Sequence, residues 1–152
     1  MKAKSILLMV SALVAFNFLS YGQVTHTIIL HVDTGVIQNS NVDQVCNFGQ
    51  DASISNRNYS IVVEVGDIVK WIGVSSSSPN TDQVEITSIN HEGGARVFGK
   101  NVLNGTKGVV VGTVTDGKKG NEEKYKISFK VKNNGTNRNG TFSIDPKIII
   151  KP

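Results

Sequence analysis

Cysteine is almost absent from this chain: of 152 residues, only Cys46 is one. A lone cysteine makes no internal disulfide, so whatever fold forms must rest on its core. Cys46 itself is left with two roles, a small buried apolar residue or one half of a disulfide between two chains. Methionine occurs only as Met1 and Met9, and histidine only as His26, His31 and His91. Apolar residues never recur at helical spacing, which argues against a bundle or coiled coil. After Leu19 no apolar run approaches the roughly 20 residues of a spanning helix. No Gly-x-Ser-x-Gly elbow occurs, Ser75-Ser76-Ser77-Ser78 reads as loop, and the acidic residues are scattered. The usual arrangements for nucleophilic or paired-carboxylate catalysis are therefore missing.

What is present begins with the N-terminus. Met1-Lys2-Ala3-Lys4 is basic, Ile6 to Leu19 is apolar apart from Ser11 and Asn17, and Ser20-Tyr21-Gly22 supplies small residues for cleavage. The pattern reads as a bacterial export signal over residues 1–22, cut after Gly22. Residues 23–152 then form a single domain, periplasmic or extracellular, with no membrane span. Losing Lys2 and Lys4 lowers the formal net charge from +4 to +2. Lys118, Lys119, Lys124, Lys126, Lys130 and Lys132 crowd one predicted hairpin. They read as a solvated strand face that discourages sheet-to-sheet pairing, not as a nucleic-acid surface.

Short alternating runs divided by Gly, Asn, Asp and Ser predict an all-β chain. Thr25 to Asp33 is the first strand, with Ile28, Leu30 and Val32 on one face and Ile29 and His31 on the other. Val36 to Asn58 is a long ordered connection. Val63-Glu-Val-Gly-Asp-Ile-Val-Lys-Trp71 predicts a hairpin turning at Gly66-Asp67. Further strands are expected at Gln83 to Ile89, Arg96 to Phe98 and Lys107 to Thr115. Tyr125 to Lys132 alternates most cleanly, with Tyr125, Ile127, Phe129 and Val131 inward. Asn133 to Gly140 forms a wide hairpin tip, and Thr141 to Ile150 is interrupted by Asp145-Pro146, since proline cannot donate to a ladder. Seven or eight strands at this spacing predict a two-sheet Greek-key β-sandwich, cupredoxin-like or immunoglobulin-like. Its core should contain Trp71, Val69, Ile86, Ile127, Phe129 and Phe142.

A blue-copper site needs two His, a Cys and a weak axial ligand. The last strand pair, Tyr125 to Ile150, holds none of these, so no cofactor is expected. His26 and His31, five apart on a strand, point to opposite faces. His91, beside Glu92-Gly93-Gly94, reads as a turn residue. Asn58-Tyr-Ser, Asn104-Gly-Thr, Asn134-Gly-Thr and Asn139-Gly-Thr match the glycan acceptor pattern and are taken as turn chemistry.

Three blocks carry a resemblance. They are His31-Val-Asp-Thr34; Val65-Gly-Asp-Ile-Val-Lys-Trp71-Ile-Gly73 followed by Val84-Glu-Ile86; and Tyr125-Lys-Ile-Ser-Phe129 leading to Gly140-Thr-Phe-Ser-Ile-Asp-Pro-Lys-Ile148. In that order they resemble the AidA/PixA inclusion-body protein family of bacteria. The resemblance implies a β-sandwich tied to host interaction or dense self-association, without catalytic residues. The expected function is thus binding or self-association by an exported, non-enzymatic domain. Its partner would be a protein, a glycan or the chain itself, met by the loops Val74 to Asp82 and His91 to Thr106. Ser76, Asn80, Asp82, His91 and Arg96 are the candidate contact residues. A rival carbohydrate- or ligand-binding module needs exposed aromatics, for which Tyr59 and Phe98 are the candidates.

Overall fold

The computed structural model describes residues 22–152; the expected export signal, residues 1–22, lies outside them except for Gly22. The strands are β1 (Thr25–Val32), β2 (Cys46–Asn47), β3 (Ser60–Val63), β4 (Ile68–Ser75), β5 (Gln83–Gly94), β6 (Val102–Asn104), β7 (Val110–Thr113), β8 (Glu122–Asn133), β9 (Thr136–Asn137), β10 (Phe142–Ile144) and β11 (Lys147–Ile150). One helical turn, α1 (Val42–Val45), and a 3₁₀ turn at Asn56–Asn58 lie inside the first long connection. A four-stranded sheet runs β2-β1-β4-β7. A seven-stranded sheet runs β3-β11-β8-β5-β6, with β9 and β10 also paired to β8. The expected two-sheet sandwich is therefore present. It is divided more finely than seven or eight strands because several elements are only two to four residues long.

Alternation sets the inner faces. Ile28, Leu30 and Val32 of β1 and Val69 and Trp71 of β4 point into the sandwich and are buried. From the opposite sheet come Ile86, Tyr125, Ile127, Phe129, Val131 and Phe142, all buried as well. All six residues expected in the core are there. Trp71 stands edge-on to Phe98 and Tyr125, with ring centroids 5.3 and 5.8 Å apart. Its indole N–H donates to the Tyr125 hydroxyl at 3.2 Å, so the largest buried polar handle is satisfied inside the apolar layer. The sheets approach so closely at Gly73 that a Cβ there would sit 2.4 Å from Val84 Cγ1.

The segment Val63 to Trp71 is not a hairpin. β3 pairs in parallel with β11 in the large sheet, whereas β4 pairs with β1 and β7 in the small one. Gly66-Asp67 is the corner where the chain crosses between sheets. Gly66 takes a positive φ of 101° there. The Asp67 carboxylate accepts from Glu64 N–H, Val24 N–H and the His26 ring, at 2.9, 3.2 and 2.7 Å. Asn134-Gly135 is a tight two-residue turn with φ of 44° and 80°, joining β8 to β9, instead of one end of a wide tip. Arg96 to Phe98 is not a strand but a turn tucked under the sandwich, with Val97 and Phe98 buried.

The break at Asp145-Pro146 leaves the pairing register untouched. Ile144 faces Ile127 before it and Lys147 faces Lys124 after it. Pro146 still accepts from Tyr125 N–H at 3.2 Å, using the carbonyl that proline retains. The chain does gain a partner there: beyond the proline, β11 pairs with β3 as well as β8.

Candidate functional site

The five predicted contact residues do not form one surface. Ser76, Asn80 and Asp82 lie at the end of the sandwich where β4 hands over to β5. His91 lies within β5, nine residues on from Asp82, about 30 Å along an extended strand. Arg96 is exposed in the turn that follows. The expected loop His91 to Thr106 is thus partly strand.

Asp82 is a clasp. Its carboxylate accepts from the Thr34 hydroxyl at 2.6 Å, Asn133 Nδ2 at 2.7 Å and Asn134 N–H at 3.0 Å. The Thr34 bond, with those from Asn133 and Asn134, holds its carboxyl below the ordinary value. Thr34 is fully buried, also bonds the Ser75 hydroxyl at 2.7 Å, and gives its carbonyl to Arg138 Nη1 at 2.6 Å. Three separate loops are tied by this knot.

His91 is not a turn residue. Its Nδ1 lies 3.0 Å from Glu123 Oε1, and the buried Glu123 also accepts from Val97 N–H at 2.6 Å. The pair braces the Val97 turn and has no nucleophile hydrogen-bonded to it among the described residues. A cleft of about 260 Å³ nearby is lined by Arg57, Glu92, Lys124, Asp145 and Lys147. Its charges are of both signs, and Lys126 outside it closes on Glu92 at 2.6 Å. Among the described residues no three of His, Cys, Asp and Glu gather as a metal would require. No described helix is long and apolar enough to cross a membrane.

Cys46 is buried, and burial, with Asp43 nearby, pushes its thiol up to about 12. A thiol so placed packs as an apolar residue and is a poor partner for an interchain disulfide. The proposed glycan-platform aromatics are also withdrawn from the surface. Tyr59 stacks on Phe48 with centroids 4.5 Å apart, and Phe98 is 4% exposed against Trp71. Every described aromatic is buried or half-buried.

The surface that sequence reasoning passed over is the outer face of the small sheet. β1 and β4 run parallel in a register that sets Thr25 beside Ile68, Thr27 beside Lys70, Ile29 beside Ile72 and His31 beside Val74. β7 adds Val111 beside Lys70 and Thr113 beside Ile68. Ile29 is 36% and Val111 55% exposed, with Ile68, Ile72 and Val74 half-buried between them. Lys70 is the one charged side chain that β1, β4 and β7 turn outward. A sandwich sheet normally turns a polar face to water, and a contiguous apolar outer face marks an interaction site. The signal was in Ile68-Val-Lys-Trp-Ile-Gly-Val74, which is apolar at both parities.

No family model matches the chain, and no curated protein matches it in sequence. Among solved structures, it is similar to the inclusion body protein PixA from Burkholderia cenocepacia J2315, with a TM-score of 0.62 and 14% identity. The match covers 87% of this chain and 98% of that one. The sandwich expected from the sequence resemblance is therefore the fold this chain adopts, that of a PixA inclusion body protein.

Proposed function

We propose that this chain is an exported, non-catalytic β-sandwich that acts by associating with copies of itself, a reading in keeping with a structural neighbour named an inclusion body protein. The observation that carries the reading is the apolar outer face of the small sheet, Ile29, Ile68, Ile72, Val74 and Val111, on a molecule whose large sheet turns a row of lysines outward. A flat face of β-branched side chains suits another such face, because two sheets pack face to face at about 10 Å with interdigitating aliphatic groups. A glycan platform or membrane-interface anchor would instead call for exposed aromatics, and the described ones are packed inside. Export rests on the basic and apolar pattern of residues 1–22.

Light scattering on the purified protein across concentration, with and without reductant and copper, tests this. Mass that rises with concentration and ignores both additives supports the reading. A strict monomer at every concentration refutes it, and loss of a dimer on reduction would reassign association to Cys46. Mass spectrometry of the same preparation locates the N-terminus; a chain retaining Met1 would refute cleavage after Gly22.

A further inference from the structure

The sandwich is bridged along one side and open along the other. On the bridged side the short connection from β6 to β7 joins the two sheets, pinned by paired Thr106 and Val109. On the open side the borders are β1 and β3. β2 covers β1 only at His31 and Val32.

Backbone direction then decides what β1 presents. Val24 and Val32 use their carbonyls toward β4, accepting from Ile68 and Ser76 N–H at 2.8 Å each. Asp33 points the other way, donating to Val45 at 2.9 Å on the β2 side. The alternation continues along the strand, so Thr25, Thr27 and Ile29 aim their N–H and C=O groups at the open side. No described group pairs with them. All three residues are exposed, and a groove of about 630 Å³ lies at the start of β1, lined by Val24 and His26 and, across it, by Val62 and Val65; the three valines are each about half exposed.

Sheet edges are ordinarily blunted by lysine, proline or a bulge. The sequence Thr25-His-Thr-Ile-Ile-Leu30 has none of these. Lys70 stands beside Thr27 but on β4, one strand in from the edge. The other lysines lie on β8 and β11 and in the connections after β5, β6 and β7, and the one beside the groove, Lys151, bonds Glu64 at 2.5 Å.

We propose that the open edge of β1 is a strand-pairing site for the β1 edge of a second copy of this chain. The charge pattern favours a like partner, since an edge of Thr25, Thr27 and Ile29 brings no charge against itself. An antiparallel pairing about a two-fold axis at Thr27 is self-complementary. Thr27 faces its counterpart and Thr25 faces Ile29, and each such pair exchanges both backbone bonds. Threonine and β-branched cross-strand pairs are favourable ones. The site rests on the self-association reading and adds to it. One isologous interface stops at a dimer, whereas an edge and a face together carry assembly past the dimer, and without closing where their two-fold axes do not meet.

The test is Thr27→Pro in the full-length protein, purified as the cell processes it. Thr27 N–H points to the open edge, so proline there removes no bond to β4. Scattering mass against concentration is read beside amide exchange at Thr25, Thr27 and Ile29. Wild type is expected to grow without a plateau, with those amides slowed at least about tenfold on assembly. Thr27→Pro should plateau at twice the chain mass, held by the face alone. Thr27→Lys serves as the second variant if proline distorts the strand, and the emission of the buried Trp71 reports folding in both. Folded variants that grow like wild type overturn the edge, as does equal exchange in monomer and assembly. Edge amides already slow in the monomer would mean an occupant from within the chain, and overturn it too. A wild type that never leaves the monomer refutes the self-association reading itself, a result distinct from loss of the edge alone.

Discussion

The two sheets share a core but turn opposite characters to water. The outer face of the large sheet carries Lys124, Lys126, Lys130 and Lys132 along β8, with Lys126 and Lys132 each 2.6 Å from a glutamate of β5. Lys147 of β11 lies 3.4 Å from Glu122. The outer face of the small sheet has Lys70 among isoleucines, valines and threonines. Both inner faces alternate equally well, so the difference has nothing to do with building the sandwich. It teaches which sheet is kept apart from other protein and which is left able to meet it. A lysine row resists stacking by charge and by the cost of desolvation, while the small sheet sets one charge against either.

The largest expected effect comes from writing the large sheet's chemistry onto the small one. Val111 is more than half exposed, so Val111→Lys costs the monomer little. In a face-to-face assembly it buries a charge where an apolar group belonged. Dimers can still form through the β1 edge, but the concentration at which mass rises past the dimer should increase about a hundredfold, roughly 2.7 kcal/mol. Scattering on wild type and variant reads this directly. An unchanged onset would move the interface off this face.

The next breaks the joint between the sheets. Asp67→Ala strands Glu64 N–H and Val24 N–H at the corner and leaves His26 without its partner. A loss of about 2 kcal/mol is expected in denaturant unfolding, with β3 and β4 no longer fixed to one another. Burial pulls the Asp67 carboxyl up, but bonds from Glu64, His26 and Val24 outweigh it and leave it below the ordinary range. A carboxyl lowered in the folded state contributes stability that is present above its unfolded value near 4 and lost as pH falls through the folded one. The gap between wild type and Asp67→Ala should therefore be constant near neutrality and narrow below about pH 4. A gap that widened on acidification would mean the hydrogen bonds do not favour the carboxylate.

Much of this fold could be read from residues, for a physical reason. Sandwich strands write their inner face as every second residue, and in Thr25 to Val32 and Tyr125 to Lys132 that pattern is unbroken. Partners are another matter. Gly66 and Asp67 suit a hairpin turn and a sheet-to-sheet corner equally, since both need a positive φ and a capping carboxylate. Only β11, 87 residues away in register (Lys147 beside Ser60), distinguishes them. The sequence pattern ends β5 at Ile89 because register shifts between Ile86 and Ser88 and between His91 and Gly93 break its alternation. His91 consequently read as a turn, while its partner Glu123 lies on another strand. Phe98 is a candidate surface aromatic in the sequence, and the ring that covers it, Trp71, belongs to the small sheet. The proposed interaction surface was hidden for a related reason: Ile29, Ile72 and Val111 come onto one face only when β1, β4 and β7 are placed side by side.

The smallest effect sharpens the comparison from the other side. Lys132 and Glu85 are each about one-third exposed, so their ion pair is well screened by water and salt. Lys132→Ala should change stability by less than about 0.5 kcal/mol, and less still at high salt. If the row of charges serves only to keep this face apart, association should be unaffected as well, because Lys124, Lys126 and Lys130 remain. A fall in stability beyond about 1.5 kcal/mol would show the cross-strand pair to be part of the sheet's framework. The charged face would then be explained by folding, and its contrast with the apolar face would no longer identify where a second copy docks.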